Sequence, residues 1–193
     1  MASESNELKE LINNSKDIPK STFQNSLDSL IAESINFRKE YLDLAYDNKT
    51  DYGLIEKLLL LFNVETIRQK SDETMRFPFD KHKQEDWSLE HIHAQQSEGL
   101  NRREQWVEWL RLQSDNSALN NSTFDVKRNK ILEMDKTSDY IPVCTRRVFL
   151  KYYTTSESNQ VHFWGNSDRH GYMSEMNTVL SPYLTLIQKE IKL

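Results

Sequence analysis

The sequence has a single cysteine, Cys144, among its 193 residues, so no disulfide can form within the chain. Disulfides persist in oxidising compartments, and a chain without them is typical of a reducing one. We therefore expect a cytoplasmic protein. Glycine and proline are also scarce, with 4 of each, and this favours long helices over a fold with many tight turns.

Long apolar runs are missing as well. The longest extends from Leu58 to Phe62, far short of the about 20 residues that a membrane-spanning helix needs. The N-terminal residues Met-Ala-Ser-Glu-Ser are acidic and polar, unlike the basic and apolar start of a secretion signal. We expect no membrane partner.

The overall charge is negative, with 25 lysines and arginines against 30 aspartates and glutamates and a net charge of -5. This disfavours a protein that coats nucleic acid non-specifically. One stretch, from Phe124 to Lys151, has the opposite balance and is compatible with a local basic groove. Its basic residues are Lys127, Arg128, Lys130, Lys136, Arg146, Arg147 and Lys151, against the acidic residues Asp125, Glu133, Asp135 and Asp139.

Apolar residues recur at helical spacing over most of the chain, and this predicts a mainly α fold. The predicted helices run from about residue 21 to 46, 52 to 62, 101 to 112, 116 to 135, from Thr145 onward and from Asp168 onward, the last one broken near Pro182. The Leu58 to Leu61 run is so apolar that we expect it to be buried nearly all round.

One short stretch combines apolar alternation with adjacent acid and imidazole groups. Residues 87–93, predicted to form a strand, contain Glu90, His91 and His93. A carboxylate beside a histidine can hold a divalent metal while the imidazole takes a proton from water. The same residues are also compatible with a structural histidine in a strand, or with a zinc site at His91 and His93, for which no third and fourth ligand has useful spacing.

Three blocks in order resemble the C-terminal half of the GmrSD-type restriction endonucleases. They read LLLLFNVETI to RFPFDKHKQEDWSLEHIHAQ at residues 58–95, SDNSALNNSTFDVKRNKILEMD at 114–135, and YIPVCTRRVFLKYYT with HFWGNSDRHGYMSEM at 140–176. Members of that family pair an N-terminal, ParB-like, nucleotide-responsive half with a C-terminal HNH (His-Me finger) nuclease half, and many restrict foreign or modified DNA.

The resemblance implies a helical lead-in at residues 1–84 and an HNH-like nuclease domain with C-terminal helices at 85–193. The expected fold is a mainly α, helical domain with an embedded ββα-metal finger. The expected function is that of a metal-dependent DNA endonuclease domain in a bacterial restriction or anti-phage defence protein. The N-terminal half would come from another chain.

The resemblance also implies roles for individual residues. His91 matches the general base, Glu90 the acidic metal ligand, and Asn116 the asparagine that opens the finger helix as a second ligand. Asn120, four residues later on the same helical face, is a weaker candidate. Oxygen and amide ligands of this kind suit Mg²⁺ or Mn²⁺.

The DNA contacts implied by the resemblance lie in the basic stretch. Lys127 and Arg128 match the family's basic block and are expected to contact phosphates of the DNA. Pairs of this kind are more often a solvated helix face.

Two features depart from the family's pattern. The usual His-x-x-Pro reads His91-Ile92-His93-Ala94 here. The finger also needs a second strand before its helix, and residues 101–112 read as helix instead. Either residues 109–113 serve as that strand, or the segment is lost and the finger is incomplete. In the second case the chain is an inactive relic that binds DNA or its partner half. A helical adaptor with no nucleic-acid role is a third hypothesis.

Overall fold

The computed structural model of the chain describes residues 2–35, 44–45, 48–69, 76–84, 87–92, 109–113, 123–137, 140–154, 161–162 and 164–190. These residues are mainly helical, as predicted. The helices are α1 (Ala2–Asn14), α2 (Lys20–Ser34), α3 (Lys49–Gln69), α4 (Phe79–Gln84), α5 (Phe124–Met134), α6 (Val143–Phe149) and α7 (Asn166–Glu190), and the strands are β1 (Trp87–His91) and β2 (Trp109–Gln113).

The chain divides into two compact units, one of Met1–Asn36 with Pro182–Leu193 and one of Phe37–Ser181. These boundaries differ from the predicted lead-in at 1–84 and nuclease domain at 85–193, which describe a functional division and stay a prediction. No described helix has both the length and the apolar character that crossing a membrane demands.

The smaller unit contains α1, α2 and the C-terminal part of α7. Helix α2 follows Pro19 and ends at Ser34, with Ala32 and Ile35 buried. The predicted helix to residue 46 is therefore too long, because residues 44 and 45 are not helical. Within α7 the helix continues through Pro182, so the break predicted there is wrong.

The larger unit begins with α3, whose start is fixed by Asn48. The Asn48 side-chain oxygen accepts hydrogen bonds from the backbone amides of Thr50 at 2.9 Å and Asp51 at 3.3 Å. This is N-capping, since the first amides of a helix have no partner within it. The helix then runs to Gln69, beyond its predicted end. Leu58 and Leu59 are buried, whereas the next two leucines are partly exposed.

Asn63 of α3 connects this helix to the start of α6. Its amide nitrogen donates to the Leu59 carbonyl at 2.8 Å, and its amide oxygen accepts from the Cys144 backbone amide at 3.0 Å. Pro142, which precedes α6, makes no side-chain capping bond. Asn63 therefore satisfies an amide in the first turn of α6 that would otherwise be buried without a partner.

Aromatic rings fill the core between α5, α6 and α7. Phe124, the first residue of α5, is stacked on Phe149 at 5.4 Å between ring centroids and is tilted against Trp164 at 5.9 Å. Tyr172 of α7 makes edge-on contacts with Phe62 at 5.7 Å and with Trp164 at 6.2 Å. Phe62, Phe124, Phe149, Trp164 and Tyr172 are each at most 2% exposed, so this cluster fixes where α5 begins.

Candidate active site

The two strands form an antiparallel pair, with β1 and β2 hydrogen-bonded over their full length. The register places Glu90 opposite Leu110 and His91 opposite Trp109. Glu90 and His91 thus occupy the last two positions of β1, beside the first two positions of β2. The acid and imidazole residues singled out by the sequence are carried by a paired strand rather than by a loop.

Two buried residues secure this end of β1. Leu89 is 5% exposed and Ile92 is fully buried. Residues that alternate along a strand point to opposite faces, and burial of one face specifies the register strongly. A shift of the β1 backbone by one residue would therefore move Leu89 to the other face of the strand pair.

Strand β2 corrects the sequence interpretation of this region. Residues 101–112 were predicted to be helical, but Trp109–Gln113 is a strand that packs against α3 and α6. Of the two alternatives that the sequence left open for residues 109–113, the structure has the strand. Residues 101–108 lie outside the described residues.

The other expected metal ligands, Asn116 and Asn120, and the second histidine, His93, lie outside the described residues. Their predicted roles stay predictions. The part of the chain that the structure describes contains no group of three or more His, Cys, Asp or Glu side chains arranged to hold a metal. The described chain continues at Thr123, immediately before α5.

The two expected phosphate-binding residues have different surroundings. Lys127 is 1% exposed and shares the buried face of α5 with Phe124 and Ile131, which are three residues before it and four after it. Arg128 is half-buried, and its Nε donates to the Phe149 carbonyl at 3.0 Å. The burial of Lys127 disfavours the phosphate contact predicted for it, so Arg128 is the better placed of the two.

Cys144 is a nucleophile by residue type but not by environment. Its thiol lies 3.5 Å from the Thr66 hydroxyl oxygen and 3.8 Å from the Phe62 carbonyl oxygen. Burial raises the pKa of the Cys144 thiol from 9.0 to about 12. The thiolate is the reactive form, so Cys144 is inert near neutral pH and belongs to the core.

An acid–imidazole pair that the sequence analysis missed lies at the first turn of α5. His162 Nδ1 is 3.0 Å from Asp125 Oδ1, and the His162 side chain is 75% exposed. No local signal predicts the pair, because 37 residues separate its members.

Comparisons of the chain with protein-family models, with curated proteins and with solved structures found no match.

Proposed function

We propose that the chain contains a metal-dependent DNA endonuclease domain, in which β1, β2 and α5 with the residues before it form a ββα-metal finger. The observation that carries the proposal is the antiparallel pairing of Trp87–His91 with Trp109–Gln113. It supplies the second strand that a finger needs ahead of its helix. The inactive-relic hypothesis rested on a continuous helix across residues 101–113, which the β2 strand does not favour.

The donor atoms of the proposed site suit a hard divalent cation. Glu90 lies next to the end of β1 and offers carboxylate oxygens, and Asn116 offers an amide oxygen, with Asn120 as a further candidate. Magnesium and manganese prefer such ligands. Once bound, the ion would neutralise charge that develops on the scissile phosphate and on the leaving oxygen.

His91 is the proposed general base. A ring nitrogen of His91 accepts a proton from water while the water oxygen forms a bond to phosphorus, and the bond from phosphorus to the leaving sugar oxygen breaks. Glu90 and Asn116 would hold the ion, which would supply charge neutralisation at the phosphate, and Arg128 of α5 would contact a neighbouring phosphate. DNA is the proposed substrate, and an N-terminal, ParB-like half on another chain is the proposed partner.

Plasmid nicking tests this proposal directly. Wild-type protein with Mg²⁺ or Mn²⁺ is expected to convert supercoiled plasmid to the open circle. His91→Ala should slow nicking by about 10²- to 10⁴-fold, the usual contribution of a general base. Glu90→Gln should also reduce nicking, and higher metal concentration should partly restore it.

The matched control is His170→Ala, which removes an exposed histidine of α7 with no proposed role. Circular dichroism and a thermal melt verify that each variant is folded. If folded wild type fails to nick with either metal, or if His91→Ala and His170→Ala nick at equal rates, the proposed function is wrong.

A further inference from the structure

The acid–imidazole pair at the first turn of α5 has no part in the reaction proposed above. His162 Nδ1 lies 3.0 Å from Asp125 Oδ1, and the two side chains are 75% and 41% exposed. A carboxylate in the first turn of a helix is favoured by the helix dipole, which accounts for Asp125 but not for its partner. Exposed ion pairs contribute little to stability, so the fold gains little from placing His162 there.

The chain segment that carries His162 is fixed beside α5 by a second contact. Trp164, two positions further along the chain, is 1% exposed. Its ring centroid lies 5.9 Å from that of Phe124, the residue before Asp125, and Phe124 is in turn stacked on Phe149 at 5.4 Å. The position of His162 is therefore set both by its own hydrogen bond and by the buried tryptophan that follows it.

The hydrogen bond to Asp125 determines which ring nitrogen of His162 can exchange a proton. A carboxylate only accepts hydrogen bonds, so Nδ1 carries the donated hydrogen and Nε2 is the atom that gives or takes a proton. A carboxylate on Nδ1 also holds the ring in one orientation, as in the catalytic triads of hydrolases. The pair thus combines a fixed tautomer, a fixed orientation and access to solvent, which a general acid or base requires.

The pair lies at the end of α5 that follows the proposed metal ligands along the chain. Asp125 comes five positions after Asn120, and a segment of that length spans at most about 18 Å even when fully extended. Arg128, the proposed phosphate contact, comes three positions after Asp125. Residues with this spacing are neighbours on a helix surface, with Cβ atoms about 5–6 Å apart. His162 therefore lies beside the helix surface that is proposed to face the DNA backbone.

The proposed reaction needs a proton donor that has not yet been assigned. His91 takes a proton from the attacking water, whereas the sugar oxygen that leaves must gain a proton to become a hydroxyl. Charge neutralisation by a cation assists the departure of that oxygen but does not supply the proton. Among protein side chains, histidine serves most often as a general acid or base, and His162 is the histidine that the structure places beside α5.

We propose that His162 is the general acid of the endonuclease and that Asp125 positions it. The inference rests on the proposed function for the reaction itself. As the bond from phosphorus to the leaving sugar oxygen breaks, its electron pair stays on that oxygen, and the Nε2 proton of the His162 imidazolium moves to it. The products are a sugar hydroxyl and a neutral imidazole, which regains a proton from solvent. Asp125 keeps its negative charge throughout.

A substrate with a sulfur leaving atom distinguishes proton donation from any other role of His162. The preferred cleavage position of wild type is first mapped on an end-labelled DNA duplex, and the chemical ends of the products identify the leaving oxygen. A second duplex then has sulfur in place of that one oxygen. Because a thiol is far more acidic than a sugar hydroxyl, a thiolate leaves without being protonated. Both duplexes are cleaved with Mn²⁺, and circular dichroism verifies that each variant is folded.

On the oxygen duplex His162→Ala should lower kcat by about 10²- to 10⁴-fold with little change in KM, and on the sulfur duplex it should cleave at the wild-type rate. Asp125→Asn should be slowed less on the oxygen duplex and should also be restored by sulfur. His91→Ala should be slow on both duplexes, because the attacking water still needs its base. The control His170→Ala removes another exposed histidine and should match wild type on both.

Two results would overturn the general acid and keep the endonuclease. The first is His91-dependent cleavage of the oxygen duplex with equal kcat values for wild type and His162→Ala. The second is a loss in His162→Ala that is as large on the sulfur duplex as on the oxygen duplex, which would assign His162 to phosphate binding. If folded wild type cleaves neither duplex, the endonuclease and its general acid are both refuted.

Discussion

The close approach between Gly171 and the Tyr153 carbonyl predicts opposite effects for the same substitution at two helical glycines. A Cβ at position 171 would lie 2.0 Å from a backbone oxygen, about 1.4 Å inside the 3.4 Å at which ordinary contact begins. At Gly53, in α3, the same atom meets nothing within 4 Å. The chemical change is identical at both sites, so any difference between the variants comes from the surroundings.

Helix propensity and overpacking together set the change in the free energy of unfolding for each variant. Alanine is favoured over glycine inside a helix by about 1 kcal/mol, and Gly53→Ala should gain about this much in the free energy of unfolding. Overpacking costs about 1–3 kcal/mol, and the upper end applies at Gly171 because the obstacle is main chain that cannot rotate away. After the helical gain, Gly171→Ala should lose about 2 kcal/mol, so the two variants differ by about 3 kcal/mol.

Urea unfolding followed by tryptophan fluorescence measures both changes. With a slope of about 2 kcal/mol per molar urea, Gly171→Ala should lower the midpoint by about 1 M and Gly53→Ala should raise it by about 0.5 M, with unchanged slopes. If both variants were stabilised equally, the Tyr153 backbone could not lie on α7 as described.

Two further predictions concern buried groups. Lys151 Nζ lies 2.6 Å from Asp168 Oδ2, and both side chains are buried. Asp168→Asn should therefore destabilise the fold by about 3–5 kcal/mol, because it leaves the Lys151 ammonium buried without its counter-charge. In urea unfolding the double variant with Lys151→Met should lose less, and a loss below about 1 kcal/mol for Asp168→Asn alone would contradict the buried pair. The raised thiol pKa of Cys144, from 9.0 to about 12, means that above pH 9 the unfolded chain loses a proton that the folded chain keeps. The thiol then leaves the stability unaffected below pH 9 and lowers it by up to about 1.4 kcal/mol per pH unit as the pH rises from 9 toward 12. Over that range the urea midpoint should fall less steeply with pH for Cys144→Ser than for wild type, and an equal fall for both proteins would refute this.

The positions of α3 and α7 were predictable because their signals are local. The spacing of Leu58, Leu59 and Phe62 predicted α3, and Asp168 predicted the start of α7. In the structure Asp168 accepts a hydrogen bond from the Gly165 amide at 2.7 Å, immediately before that helix. Apolar periodicity and capping residues act within a few positions of each other, so one sequence is enough to find them.

Strand β2 could not be predicted in the same way. Trp106, Trp109 and Leu110 are spaced as on a helix, whereas Leu110 and Leu112 alternate as in a strand. The preference of a short segment for a strand comes mainly from what it packs against. For β2 that is β1, together with α3 and α6, none of which is near it in sequence.

The burial of Lys127 was predictable from the helical spacing of α5, but the family resemblance favoured a different interpretation. Phe124, Lys127 and Ile131 follow the spacing of one helical face, and all three are buried. The resemblance to a basic family block favoured a solvent-facing lysine at this position. In the structure Lys127 is buried, as the helical periodicity indicates, because Phe124 and Ile131 direct that face of α5 into the core.

The aromatic cluster links the helix proposed for the finger to the Lys151–Asp168 ion pair. The Lys151 Nζ of this ion pair lies 5.4 Å from the Phe124 ring centroid and 5.6 Å from that of Trp164. Phe124 is the first residue of α5, the helix proposed for the finger. Cores are close-packed and transmit small displacements. A substitution that removes the Lys151 ion pair should therefore also displace the start of α5. Such a change is therefore expected to reduce the proposed nicking activity from outside the proposed site.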